Sequence, residues 1–302
     1  MVAALTLALT GATGFVGAHL LDLAFREGHA VRALTRRPQL PRDGVTWIEG
    51  ALDDPAALTA LVEGADAVIH VAGVISADAA GFEAGNVTGT AAMLGAAERA
   101  RVRRFVHVSS LAAREPALSM YGASKARSEA LVESSTLSTA IVRPPAVYGP
   151  GDRETLELFR MAKRGLIVLP PAGRLSLIHV DDLVRLLLAL AARDDNLLIE
   201  PDDGRPGGWT HEAFGHALGR AVGREVRTLS APRFVLTLAA RADTLLRGGK
   251  AKLTPDRAAY FCHPDWTVSP PRAAPAELWQ PRIDTEQGLA ATALWYQAQR
   301  WL

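Results

Sequence analysis

The stretch LTGATGFVG, Leu9 to Gly17, joins an apolar run that begins at Ala3 to a segment of helical period. Gly11, Gly14 and Gly17 stand at three-residue intervals between the end of a predicted strand at Thr10 and a helix that begins near Gly14. Glycine permits positive φ and close approach of backbone, and a new helix points its free N–H groups into the turn. Such a turn accommodates a pyrophosphate. It is equally a strand-to-helix connection with packing glycines, and its spacing departs from the G-x-G-x-x-G of the dinucleotide fingerprint. The rest of the chain has to decide.

Working outward, short apolar runs alternate with helical stretches up to about residue 145. The predicted strands are Leu5–Thr10, Ala30–Thr35, Val45–Glu49, Ala67–Ala72, Phe105–Ser109 and Thr139–Arg143. In FVGAHLLDLAFREG, Val16, Leu20, Leu23 and Ala24 share one face and Gly28 supplies a stop. Strict alternation implies parallel strands with crossover helices, hence an α/β fold with a doubly wound parallel Rossmann sheet. LSLIHVDDL reads as a further strand leading into a helix Leu183–Ala192, and the remainder is richer in Pro, Trp and irregular segments. The domain expectation is a dinucleotide-binding domain of residues 1–145 plus about 175–195. Residues 146–174 and 196–302 then form a smaller, partly interleaved C-terminal substrate lobe.

With 302 residues and 49% apolar content the chain can bury a sizeable core, and its net charge of +1 comes without a long like-charge block. Neither nucleic acid nor a membrane is therefore expected as partner. Cys262 is alone, which excludes an internal disulfide. No basic leader precedes the glycine loop, and LVRLLLALAA from Leu183 is interrupted and too short to span a bilayer, so a cytoplasmic protein is expected.

At the end of the second strand, where an NAD site usually carries an acidic residue for the ribose 2′-hydroxyl, the chain has Arg36 and Arg37. Two guanidiniums suit a 2′-phosphate better; alternatively they are solvated strand-end arginines. After the third strand Asp53 is placed to accept from an adenine amino group, or Asp53 or Asp54 caps the helix after Pro55. SMYGASKARSEA reads as a helix, so Tyr121 and Lys125 project from one face. A phenol with a reference pKa of about 10 is a weak acid at neutral pH, and a neighbouring ammonium favours its phenolate. Lysine is rare here, only Lys125, Lys163, Lys250 and Lys252, so chance predicts about 0.05 such Tyr–Lys pairs. Upstream, Ser109 and Ser110 close a strand at the carboxyl edge of the sheet, as turn residues or as donors to a substrate oxygen.

These residues carry a resemblance. TGATGFVG, HVAG (His70–Gly73), NVTGT (Asn86–Thr90), SS before YGASK, RPPAVYGPGD and IHVDDL resemble, in order and spacing, the motifs of the extended or atypical short-chain dehydrogenase/reductases, the NAD-dependent epimerase/dehydratase superfamily. The match covers residue 6 to about 190. It implies Tyr121 as proton donor or acceptor and Lys125 as the residue that tunes it and binds the nicotinamide ribose. Ser110, rather than Ser109, polarises the substrate oxygen, and Asn86 helps hold the site together. The cofactor is expected against Gly11, Thr13, Gly14, Phe15, Val16, Gly17, Asp53 and Ala72, with Pro144 and Val147 lining the nicotinamide pocket and Arg36 on the phosphate of NADP. Relatives often pair as homodimers through the NVTGT and YGASK helices.

The expected activity is hydride transfer between a nicotinamide, NADP preferred and NAD possible, and a carbonyl or alcohol on a small-molecule substrate. Two rivals keep the fold: an NAD-retaining nucleotide-sugar epimerase or dehydratase, and a non-catalytic dinucleotide-binding sensor or assembly subunit. No metal site is expected, since among His70, His107, His179, Cys262 and His263 only the last two are adjacent and no cluster supports them. Asp181 and Asp182 are expected to cap the following helix. Trp266, Trp279, Trp295 and Trp301 are expected in core packing or along a hydrophobic cleft.

Overall fold

Strand β1 (Thr6–Thr10) lies inside a seven-stranded parallel sheet, third from one edge. The computed structural model describes residues 4–248, 251 and 253–302. The other strands are β2 (Ala30–Thr35), β3 (Val45–Glu49), β4 (Ala67–His70), β5 (Arg104–Val108), β6 (Ser138–Val142) and β11 (Leu197–Ile199). Their order, β11-β6-β5-β4-β1-β2-β3, is the doubly wound arrangement that the alternation of strand and helix predicts. The chain winds outward from β1 in one direction and resumes on the other side at β4, so the switch point lies between β1 and β4, at their carboxyl ends.

Two compact units divide the chain. The first comprises 1–144, 180–200 and 274–279, the second 145–179, 201–273 and 280–302. In the first, helix α1 (Phe15–Arg26) buries Leu20, Leu21, Leu23 and Ala24 and ends where Gly28 takes φ +80°. Helices α2 (Pro55–Val62), α4 (Gly89–Arg99) and α5 (Met120–Glu133) flank the sheet, the short α3 (Ala79–Phe82) precedes α4, and Leu58, Leu61, Val68, Met93, Phe105 and Ile141 share one core. The inner strands β1, β4, β5 and β6 are buried on both faces because helices cover both.

Several sequence-derived bounds shift for physical reasons. β4 stops at His70 rather than Ala72, because the Ala72 N–H is taken by the Thr10 hydroxyl at 3.1 Å instead of a neighbouring strand. Helix α7 (Val180–Ala191) begins before Asp181 and Asp182, so these do not cap it. They are first-turn carboxylates, Asp181 bonded to His19 at 2.6 Å and Asp182 to Arg185 one turn on.

The second unit is more regular than its Pro- and Trp-rich sequence suggests. It holds the short strands β7 (Ala146–Tyr148), β8 (Leu166–Leu169), β9 (Arg174–Leu175), β10 (Leu177–His179), β12 (Trp209–Thr210), β13 (Arg227–Ser230) and β14 (Asp265–Trp266). Its helices are α6 (Leu156–Arg164), α8 (His211–Ala221), α9 (Arg233–Arg247), α10 (Pro255–Phe261) and α11 (Thr285–Ala298). Tyr148, Phe159, Leu177, Trp209, Phe214, Leu218, Leu289 and Tyr296 form its core. Trp266 is buried here, Trp295 and Trp301 pack against this core, and Trp279 is buried in the first unit with its indole N–H on Asp182 O at 3.0 Å. Packing accounts for all four, and the indoles of Trp266 and Trp279 are hydrogen-bonded as well.

Candidate active site

The β1–α1 turn is built by three glycines with different tasks. Gly11 takes φ +73°, and a Cβ there would stand 2.8 Å from Ala72 N; a Cβ at Gly17 would stand 2.1 Å from Gly11 O. Both positions therefore demand glycine for close backbone packing at the β1/β4 switch point. Gly14 is exposed, donates its N–H to Gly11 O at 3.0 Å, and caps α1 with no side chain. No acidic residue occupies the first turn of α1. With Thr13 also exposed and Phe15 and Val16 half-buried, the helix presents bare N–H groups and the positive end of its dipole, which fits a pyrophosphate.

Beneath this turn runs a buried polar network that sequence reasoning did not assemble. Thr10 Oγ1 and His70 Nδ1 lie 2.8 Å apart, and His70 Nε2 is 3.2 Å from Thr90 Oγ1. Thr90 spends its own proton on Asn86 O at 2.7 Å, so His70 must donate from Nε2 and accept at Nδ1. The same logic holds for His107: Ser128 donates to Lys125 O at 2.8 Å, so His107 Nε2 donates to Ser128 Oγ at 3.0 Å. The two imidazoles are register partners on β4 and β5 and stack with centroids 5.6 Å apart. Burial, then the charge of Lys125, pushes the His70 pKa down to about 3 and that of His107 well below 6.5, so both are neutral. Their matching places in VIHVAG and FVHVSS were the available signal.

Lys125 is 5% exposed, and its ammonium donates to Val108 O at 2.7 Å. Burial lowers its pKa to about 8, with Glu129 partly offsetting the effect. The ammonium also borders the chain leaving β4, since a Cβ at Gly73 would lie 3.6 Å from Nζ and 3.0 Å from Asn86 Oδ1. Asn86, in the π-helical turn Glu83–Thr88, staples that segment. Its Oδ1 accepts the Val74 N–H at 2.7 Å, and its Nδ2 donates to Val74 O at 3.0 Å and Ser124 Oγ at 2.8 Å.

Tyr121 occupies the first turn of α5, half-buried, with its ring 6.0 Å from that of Phe82. Ser119 caps this helix by accepting the Gly122 N–H at 3.0 Å. A Cβ at Gly122 would stand 2.6 Å from Ala112 O, so glycine lets α5 close on the 3₁₀ turn Leu111–Arg114. Ser110 caps that turn, its Oγ accepting the Ala112 N–H at 3.2 Å. The two adjacent serines thus differ: Ser109 donates to Glu129 Oε1 at 2.5 Å, inside a buried ion-pair group in which Arg143 bridges Glu129 and Glu200.

The predicted outer residues are more dispersed. Arg36 follows β2, is exposed, and makes no hydrogen bond or ion pair among the described residues. Asp53 is exposed; the helix cap is Asp54, which accepts from Ala56 N and Ala57 N. Pro144 is buried in the first unit, whereas Val147 lies in β7 of the second. Among the described residues no group of three His, Cys, Asp or Glu side chains converges as a metal site, and no helix is long and apolar enough to cross a membrane.

Residues 7–200 match the model of the NAD dependent epimerase/dehydratase family. The chain is 40% identical over 306 residues to the ceramide reductase of Caulobacter vibrioides, an alignment covering 98% of this chain and 95% of that protein. It is 34% identical to the 4-hydroxy-2-methyl-3-oxo-4-farnesyl-3,4-dihydroquinoline-1-oxide ketoreductase of Stigmatella aurantiaca, over 48% of this chain and 51% of that one. Among solved structures, MoeE5 in complex with UDP-glucose and NAD superposes with a TM-score of 0.77 at 24% identity, covering 98% of this chain and 99% of that one.

Proposed function

Because the chain belongs to the NAD dependent epimerase/dehydratase family and is an enzyme of it, we propose an NADP-preferring reductase that interconverts a ketone and a secondary alcohol on a long, apolar substrate. The observation that carries the reading is Lys125, an ammonium held in a buried pocket one helical turn beyond Tyr121 by a carbonyl at 2.7 Å. A cation kept in low dielectric at a cost in stability has a reason to be there, and the phenol is its neighbour along the helix.

The bare first turn of α1 would hold the pyrophosphate, Asp53 the adenine amino group, Arg36 the 2′-phosphate, and Lys125 the nicotinamide ribose. When bound, the dinucleotide supplies a hydride to the carbonyl carbon or takes one from the carbinol. Tyr121 delivers its phenolic proton to the carbonyl oxygen, so that hydride and proton together complete the alcohol. Lys125 favours the resulting phenolate through its charge. Ser110 donates a hydrogen bond to the same oxygen and keeps its proton; Ser109 is committed to Glu129, which supports choosing Ser110. Asn86 acts as a positioning residue, holding the post-β4 segment to α5.

Arg36 supports NADP over NAD, since an exposed guanidinium stands where a carboxylate would bind a 2′-hydroxyl. The substrate class rests on the relatives named for a ceramide and for a farnesylated quinoline. The test is NADPH oxidation against a panel of long-chain and polycyclic ketones, with Tyr121→Phe as control. Turnover by wild type and a loss of about 10²-fold or more in Tyr121→Phe, with NADPH affinity retained, is expected. Turnover only with nucleotide sugars, or Tyr121→Phe as active as wild type, would refute it.

A further inference from the structure

Helix α9 buries a single residue, Ala240, of its fifteen. Phe234, Leu238, Leu245 and Leu246 are 66%, 59%, 86% and 84% exposed, and Val235 is exposed beside them. At 100° per residue these five, with Ala239 and Ala242, fill one continuous arc with no charge inside it. The helix is amphipathic in the inverted sense: its apolar stripe faces solvent, while the side carrying Ala240 and the half-buried Leu236 and Thr237 meets the rest of its unit. In the same unit β13, which leads into α9, pairs with β8 so that Leu229 and Val168 lie side by side, both exposed.

Charge says what covers this face. Arg233, Arg241 and Arg247 lie on α9, and Lys250 and Lys252 follow it in sequence. The one acid between Arg233 and Lys252 is Asp243, which is half-buried and turned inward, accepting from Leu253 N at 2.9 Å and pairing with Arg247 Nε at 3.2 Å. On the same wheel Arg241 borders the stripe, while Arg233 and Arg247 stand exposed at the two ends of the helix on its other side. An apolar stripe on a surface helix whose exposed charges are basic is the composition of a segment that seats in the headgroup region of an anionic bilayer. We propose that α9 docks the protein onto an anionic membrane surface, with Phe234, Leu238, Leu245 and Leu246 entering the acyl boundary and the exposed arginines of the helix meeting lipid phosphates. The overall charge of +1, from which no membrane partner is expected, averages this local excess away.

The test is flotation of the full chain with vesicles of phosphatidylcholine alone and of phosphatidylcholine containing about one third phosphatidylglycerol. Partition needs no cofactor, so its outcome is separate from turnover. Wild type is expected to float with the anionic vesicles and at least about tenfold less with the neutral ones, and high salt should release it. L245Q/L246Q should lose at least about tenfold of that partition while keeping its fold and dinucleotide affinity, because neither side chain packs in the structure. Absence of wild-type flotation, equal partition onto neutral vesicles, or an unaffected variant would overturn the proposal. So would a wild-type dimer that L245Q/L246Q converts to monomer, which would assign the face to a second copy.

Discussion

Replacing Lys125 by Met should make the protein more stable while abolishing its turnover. Methionine fills a similar volume without a charge. Burial drops the lysine pKa from 10.5 to about 8, which corresponds to about 3 kcal/mol of destabilisation at neutral pH. Against this the variant loses one charge-assisted hydrogen bond and leaves Val108 O without its ammonium partner, a loss of about 1–2 kcal/mol. A net gain of about 1–2 kcal/mol remains, a rise of a few degrees in melting temperature. The sign also fixes a pH dependence. The unfolded lysine stays protonated up to about 10.5 whereas the folded one deprotonates near 8, so wild type gains stability across that window and its deficit against Lys125→Met closes. Thermal unfolding at about pH 7 and about pH 10, with NADPH oxidation on the same samples, reads both effects. A variant less stable than wild type at pH 7, or a gap that does not change with pH, would falsify the reasoning that Lys125 is a strained functional cation.

Gly17→Ala places a Cβ 2.1 Å from Gly11 O, so the β1–α1 turn must open; dinucleotide affinity should fall at least about tenfold in a calorimetric titration. On the acid side, His70 is neutral when folded and protonates near 6.5 when unfolded, so stability is full above that pH and is lost as pH falls toward 3. At about pH 5 the loss from His70 amounts to about 2 kcal/mol. His107 adds in the same direction, and denaturant melts at about pH 7 and about pH 5, compared with a His70→Asn variant, separate its share.

The fold is legible in the chain because its inner strands are buried on both faces and its strands are bounded by turn residues. β2 and β3 match the predicted bounds, since Gly28 and Gly44 take left-handed φ just before them. β4 does not, because the Thr10 hydroxyl competes for a backbone N–H, a contact sixty-two residues apart in sequence that no local pattern encodes. The same distance problem hides the site's underpinning. Tyr121 and Lys125 sit on one helix and are visible by spacing. The pairing of His70 with His107 depends on strand order, and the division of labour between Ser109 and Ser110 depends on Glu129 reaching the sheet edge from α5. In the second unit the helix of RFVLTLAARADTLLR turns its apolar residues outward, so periodicity alone shows a stripe and not what it meets.

The most direct measurement is a paired titration of the purified wild-type protein with NADPH and NADH, followed by quenching of its six tryptophans and repeated on Arg36→Ser. Reversible binding with NADPH favoured at least about tenfold, and that preference lost in Arg36→Ser, is the predicted result. Equal or tighter NADH binding, or a dinucleotide that stays with the protein through purification, would contradict an NADP-using reductase. Binding of neither would contradict the reading of Gly11, Gly14 and Gly17 as a phosphate cradle.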